Sequence, residues 1–324
     1  MLSFDVVCVG NAKIDAFLTI HEASQHLRLN KETNELCIKS GEKISVDKCD
    51  FLLGGNAANV AVGLSRLGLS PSICAEIGSD EFTQKIVNSL KKENVNTDLL
   101  KITIGQASSF SVIINFKSER TIFSEHVRRK HDFVLDNITT KLVYLTSLGL
   151  EWENAYFKTV AFVKKSGCKL AFNPGTLQIE EGYKKIADVL SITDMLFVNK
   201  EEATKISNFQ FLISNEKDDK EIIKELLIKL QKLGPKIVVI TDGKNGAYAI
   251  DQDRKIYKKE ADQSRIVERT GAGDAFSSGF ISAILHNLPI NDAMHWGTAN
   301  ASSVIEQVGA QKGLLRIPQI KKKL

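Results

Sequence analysis

The chain has 324 residues, 43% of them hydrophobic and 25% charged, which is ordinary for a folded α/β protein and ample for one large domain or two smaller ones. Its 43 basic and 39 acidic residues leave a net charge of +4, too balanced for a nucleic-acid coat, and the densest basic spots (Arg128–Arg129, Lys321–Lys323) read as solvated surface. Five cysteines without a C-x-x-C pair, six histidines without metal-binding spacing and the absence of any long apolar run argue against a disulfide framework, a zinc site and a membrane span. With an acidic start at Asp5 and no basic leader, the expectation is a cytoplasmic protein without a membrane or nucleic-acid partner.

In chain order, FDVVCVG (residues 4–10) is a β-branched apolar run and reads as a buried strand. Residues 16–53 are polar and irregular, with short alternations such as FLTI and ELCIK. From Asn56, NAANVAVGLSRLGL puts Ala57, Val60, Ala61, Leu64 and Leu67 on one helical face, and Gly68 is a C-terminal stop. SICAEIG (72–78) predicts a strand and residues 80–95 an amphipathic helix. Residues 107–127 carry SFSVIINF and RTIFSEHV, two strand-like runs with no helix between them.

The second half alternates strand-like runs (KLVYLTSLG, KLAFNP, MLFVN, KIVVITDG) with helical segments (NAYFKTVAFVKKSG, YKKIADVLS, KEEATKIS, KEIIKELLIKLQKLG). That beat predicts a largely parallel sheet covered by helices on both faces, with ligand beyond the carboxyl ends of its strands. The two irregular stretches predict a small antiparallel sheet projecting from the body as a lid. We read one α/β domain over residues 1–324, with lid segments at roughly 16–53 and 107–127.

Three motifs carry chemistry. In ERTGAGDAF (268–276), two glycines lead into Asp274, and Ala275, Phe276, Gly279, Phe280, Ala283 and Ile284 then follow at helical spacing. An N-cap accounts for the acid but not for Gly271 and Gly273, which let N–H groups and the helix dipole meet an anion. An acid beside an anion hole makes sense if it takes a hydroxyl proton while those N–H groups stabilise a phosphoryl in transit. In LLGGNAANVA (52–61), Gly54 and Gly55 open a helix; Asn56 suits an N-cap, whereas Asn59 lies too far inside to cap and wants a ligand. GNAKID (10–15) puts Asp15 after the first strand, as a turn residue or an acceptor of ligand hydroxyl protons. The dinucleotide fingerprint fails because position 276 is Phe, and no G-x-x-x-x-G-K-[ST] loop exists.

GGNAAN, NKEE (199–202) and TGAGDAFSSGF together resemble the ribokinase superfamily of sugar and nucleoside kinases, the phosphofructokinase-B family, in order and spacing along the whole chain. The resemblance implies a ribokinase-like fold and ATP-dependent phosphoryl transfer with Mg²⁺. It implies Asp274 as general base and Gly271, Ala272 and Gly273 as the anion hole. Asn199 and Glu202 would sit near Mg²⁺ and the ATP phosphates, Glu202 through water. Thr241, Gly243 and Gly246 of TDGKNG would meet the nucleotide; Asp15, Gly55 and Asn59 would hold the acceptor; the segment from Thr298 to Gln311 would border the adenine. Glu268 and Arg269 stand where many members carry Asp-Thr, which places activation by a monovalent cation in doubt.

The resemblance implies a small sugar as the acceptor or, alternatively, a nucleoside. Lys13 replaces the Asn usual in ribokinases, and GNAKID also fits adenosine kinases. A nucleobase wants an aromatic wall, for which Phe110, Phe116, Phe123 and Phe133 are the candidates. A non-catalytic binding protein is the reading from another class, and intact Asp274, Asn199 and Glu202 argue against it. An open lid edge offers a homodimer contact.

Overall fold

A computed structural model describes residues 2–21, 26–30, 32–33, 35–116, 119–125, 127–208 and 219–323. Of the two expected lid segments, residues 22–25, 31 and 34 in the first and 117, 118 and 126 in the second lie outside the described residues.

The chain opens with β1 (Leu2–Val9), β2 (Lys13–Ile20), β3 (Leu27–Asn30), β4 (Glu35–Ile38) and β5 (Lys48–Gly54), then α1 (Asn56–Arg66). There follow β6 (Pro71–Cys74), β7 (Glu76–Gly78), α2 (Thr83–Lys92), β8 (Lys101–Thr103), β9 (Phe110–Phe116) and β10 (Glu119–Glu125). The second half runs β11 (Ile138–Thr146), α3 (Glu153–Ser166), β12 (Lys169–Asn173), α4 (Thr176–Glu180), α5 (Tyr183–Ser191), β13 (Met195–Asn199), α6 (Lys200–Ile206) and α7 (Asp219–Gln231). It ends with β14 (Ile237–Thr241), β15 (Ala247–Ile250), β16 (Ile256–Lys259), α8 (Ala272–Leu285), α9 (Ile290–Ile305) and α10 (Ile317–Ile320). Among the described residues no helix is long and apolar enough to cross a membrane.

Among the described residues the main sheet has eight strands in the order β16-β15-β14-β13-β12-β11-β1-β6. From β6 to β14 all neighbours run parallel; β15 and β16 are antiparallel additions at one edge. Alternation along each strand feeds two cores. Val6, Cys8, Leu142 and Tyr144 face the layer of α1, α8 and α9, while Val7, Val9, Val143 and Leu145 face the layer of α3, α5, α6 and α7. Burial on both faces is why these strands read as continuous apolar runs. α8 is buried nearly all round, which explains its uninterrupted apolar and small-residue sequence.

A second sheet, ordered β10-β9-β2-β5, stands beside the carboxyl ends of the first. Its β9–β10 and β2–β5 pairs are antiparallel as expected, but β2 and β9 pair in parallel. These two strands are joined by a long crossover through α1 and α2, and so can run in the same direction. Two further expectations are corrected. The strand foreseen over 72–78 is split, since β6 joins the main sheet and β7 pairs with β8 in a separate ribbon. The helix foreseen over 80–95 shortens to α2, because Asp80 folds the entry into a turn, accepting from Phe82 N at 3.2 Å and engaging Thr83.

Candidate active site

Carboxyl ends of the parallel strands, the N-terminus of α8 and the inner face of the second sheet enclose a cavity of about 390 Å³. The larger groove of about 540 Å³, between residues 133–138 and α3, holds a single acid, Asp136, and no helix N-terminus opens into it. The chemistry therefore collects in the smaller cavity.

Gly271 is the N-cap of α8 with φ +80, and a Cβ there would collide with Ala310, so only glycine fits this turn. Asp274 follows in the first helical turn, buried and lining the cavity. Burial pushes its carboxyl up to about 7; Asn59, donating from Nδ2 to Oδ2 at 2.9 Å, works against that shift, and Asp15 and Glu202 add to it. Ala275 N bonds Gly271 O at 2.8 Å and Ala272 N bonds Arg269 O at 3.4 Å. Among the described residues this leaves the N–H groups of Gly271, Gly273 and Asp274 as the free donors of the turn, all three residues on the cavity wall.

The residues expected to hold an acceptor line the same cavity. Asp15 lies within β2, not in a turn, paired with Leu52 on one side and Ser111 on the other. Burial raises its pKa, Lys13 and the Ser111 hydroxyl oppose this, and its Oδ1 is buried without a hydrogen-bond partner. Gly55, with φ +93, is the N-cap of α1, and a side chain there would collide with the Asn11 carbonyl. Asn56, expected as the cap, is instead the first helical residue; it lines the cavity together with Asn59.

On the opposite wall, Asn199 ends β13 and caps α6. Its side chain accepts from Glu202 N at 2.9 Å, while Glu202 Oε2 accepts from Asn199 N at 2.9 Å, a reciprocal capping box. Burial raises the Glu202 pKa. Both residues and Thr241, at the end of β14, line the cavity. Gly243 and Gly246 do not: they shape the β14–β15 connection, where Gly246 has φ +89.

Residues in or beside the cavity also take contacts that the sequence did not disclose. Lys13 presents a largely desolvated ammonium that donates to Ser124 Oγ at 3.0 Å and lies 4.0 Å from Asp15. Cross-strand neighbours Ile113 and Ile122 make an apolar patch on the second sheet's inner face. Glu268 is buried, accepts from Thr270 N at 2.6 Å and Gly309 N at 3.4 Å, and lies 3.9 Å from Arg120 Nε. Gln311 donates from Nε2 to Asn59 Oδ1 at 2.9 Å.

The four phenylalanines foreseen as an aromatic wall are not on the cavity, although two others, Phe197 and Phe276, do line it. Phe110 stacks with Phe82 at 5.4 Å, Phe116 and Phe133 are buried in separate cores, and Phe123 is exposed, so none of the four lines the cavity. On alternating strands, neighbouring positions face opposite sides, and these phenylalanines take the side away from the cavity or sit in other cores.

Residues 5–317 match the model of the pfkB family of carbohydrate kinases. The chain belongs to that family. It is a kinase of the ribokinase superfamily, whose members act on sugars or nucleosides. A 5-dehydro-2-deoxygluconokinase of Clostridium perfringens is 27% identical over 98% of this chain and 92% of its own. A nucleoside kinase of Methanocaldococcus jannaschii is 25% identical over 95% of this chain and 93% of its own. Among solved structures, ribokinase of Arabidopsis thaliana complexed with ribose and ATP shares the fold at a TM-score of 0.76 and 18% identity, with 99% of each chain covered. Ribokinase-like architecture is thus the fold of this kinase, as expected.

Proposed function

We propose that this kinase moves the γ-phosphoryl of ATP to a primary CH₂OH of a small sugar, with Asp274 as general base and the Gly271-Ala272-Gly273 turn as anion hole. One observation carries the reading: a buried carboxyl with a pKa of about 7 stands in the first turn of a glycine-opened helix, on the wall of the cavity. A base poised near neutrality accepts a proton and still ionises at working pH. Asn59 holds Oδ2, leaving Oδ1 for the acceptor hydroxyl. As that O–H bond breaks toward Asp274, the oxygen attacks the γ-phosphorus and ADP leaves; the free N–H groups of the turn, on Gly271, Gly273 and Asp274, meet the developing charge. Asp15, with its unpartnered Oδ1, accepts from the acceptor's other hydroxyls beside Gly55 and Asn59.

On the donor side, Asn199 and Thr241 border the phosphates, with Gly243 and Gly246 further along the nucleotide. Among the described residues no group of three His, Cys, Asp or Glu could hold a metal. Glu202 commits one oxygen to its cap, so the donor set fits Mg²⁺ held through water and the ATP phosphates, not a protein cage. When bound, that ion neutralises phosphate charge. The second sheet acts as a lid over one catalytic unit spanning residues 1–324, and its free edges, β10 and β5, suit pairing with a second copy.

A sugar is favoured over a nucleoside because the lid face of the cavity offers Ile113 and Ile122 and no ring to stack on; the aromatic rings of the lining, Phe197 and Phe276, belong to β13 and α8 of the main body. The test is ATP turnover with Mg²⁺ on ribose, fructose, 2-keto-3-deoxygluconate, adenosine, cytidine and inosine, beside Asp274→Asn. Turnover confined to nucleosides would overturn the sugar reading. An Asp274→Asn variant as active as the parent would overturn the base. Tight ligand binding with no turnover would favour a sensor.

A further inference from the structure

The carboxyl that the proposed mechanism needs as a base is held by a relay that ends outside the cavity. Asp274 Oδ2 accepts from Asn59 Nδ2 at 2.9 Å, and Asn59 Oδ1 accepts from Gln311 Nε2 at 2.9 Å. Asn59 is buried on α1, while Gln311 is absent from the cavity lining. The Gln311 backbone is itself fixed: its carbonyl accepts from Arg66 at 2.7 Å, and Arg66 is locked by a two-pronged pair with Glu93 at 2.9 and 2.7 Å.

A carboxamide can offer Asp274 either its NH₂ or its carbonyl oxygen. The NH₂ donates to an ionised carboxylate, whereas the oxygen accepts from the protonated acid. An N–H arriving at Asn59 Oδ1 from Gln311 selects the first arrangement and disfavours the second. We propose that Gln311 is a positioning residue which, through Asn59, holds Asp274 in its proton-accepting form. This rests on Asp274 being the base, and it makes the C-terminal loop part of the acceptor site at a distance.

Groups that face Asp274 from other elements are Asp15 and Lys13 on β2, Glu202 on α6 and Tyr144 on β11, with Arg120 and Arg269 elsewhere on the cavity wall. None is altered by a change at residue 311. Gln311→Met removes the amide at nearly constant size and adds no charge. It frees Asn59 to turn, and the acid limb of kcat is expected to rise by about half a pH unit to one unit with acceptor KM little changed. Gln311→Glu, which only accepts, is expected to move the limb further. Acid limbs coinciding with the parent's in both variants, or an effect on the KM for ATP alone, would overturn the relay. Should Gln311→Glu fail to fold, Gln311→Met decides, with its melting curve as the check on folding. Asp274→Asn keeps the two ideas apart: an active Asp274→Asn sinks the base itself, while an inactive one beside unmoved Gln311 profiles sinks only the relay.

Discussion

Gly273→Ala separates the phosphoryl site from the fold. The residue sits second in α8 without a left-handed φ, and a Cβ built on it meets no protein atom within 4 Å. Nothing must repack, and replacing a helical glycine by alanine stabilises by about 0.5–1 kcal/mol. Under the proposed mechanism a phosphoryl oxygen occupies the open space around that Cβ, at about 2.9 Å from the turn's N–H groups. A methyl placed there leaves the N–H in place but blocks the approach to it, and being denied one donor of this kind costs roughly 10²–10³ in kcat. The expected outcome is an unchanged or higher Tm with kcat lowered by about two to three orders of magnitude. ADP release with the preferred acceptor and a thermal melt measure both. A stable variant with parental kcat would refute the anion-hole assignment; a lowered Tm would refute the account of the turn.

Two further outcomes follow from buried carboxylates. Burial raises Asp274 from 3.8 to about 7, so between about pH 4 and 7 the folded chain keeps a proton that the unfolded chain releases, and stability falls as pH rises through that window. Asp274→Asn removes the penalty and is expected to raise Tm at pH 8 by about 2 °C or more but hardly at pH 4.5; an equal change at both would contradict it. At Glu268, the carboxylate already receives Thr270 N and Gly309 N and lies against Arg120, so rates in potassium and tetramethylammonium chloride at equal ionic strength are expected to match. Activation several-fold by potassium would show that Arg120 does not stand in for a bound cation.

What the sequence disclosed divides along physical lines. The parallel sheet was legible because strands buried on both faces carry continuous apolar runs, as in MLFVN and KIVVIT. The GAGD turn was legible because close backbone approach demands glycine at fixed short spacing. Contacts between distant segments were not. Gln311 and Asn59 are 252 residues apart, and no local pattern announces their hydrogen bond. The parallel β2–β9 pairing depends on how two remote strands leave the body, and the phenylalanine assignments failed because which face of a strand meets the cavity is a tertiary matter.

The reading of Asn199 and Glu202 as helix cap or as phosphate-side ligands poses a false choice. The capping box commits one Glu202 oxygen and the Asn199 side chain, fixing both residues at the end of β13 where the cavity begins. Flexible side chains would lose rotamer freedom on binding phosphate; these have lost it on folding, so under the proposed donor-side role a ligand would meet them preorganised. Asn59 follows the same logic from the other wall: its bond to Asp274 orders the proposed base, and Gln311 bonds Asn59 in turn. In each case the local structural role is the means by which the polar group is held in place, and a substitution that preserves the cap but removes the carboxylate, such as Glu202→Gln, tests the chemistry without dissolving the helix.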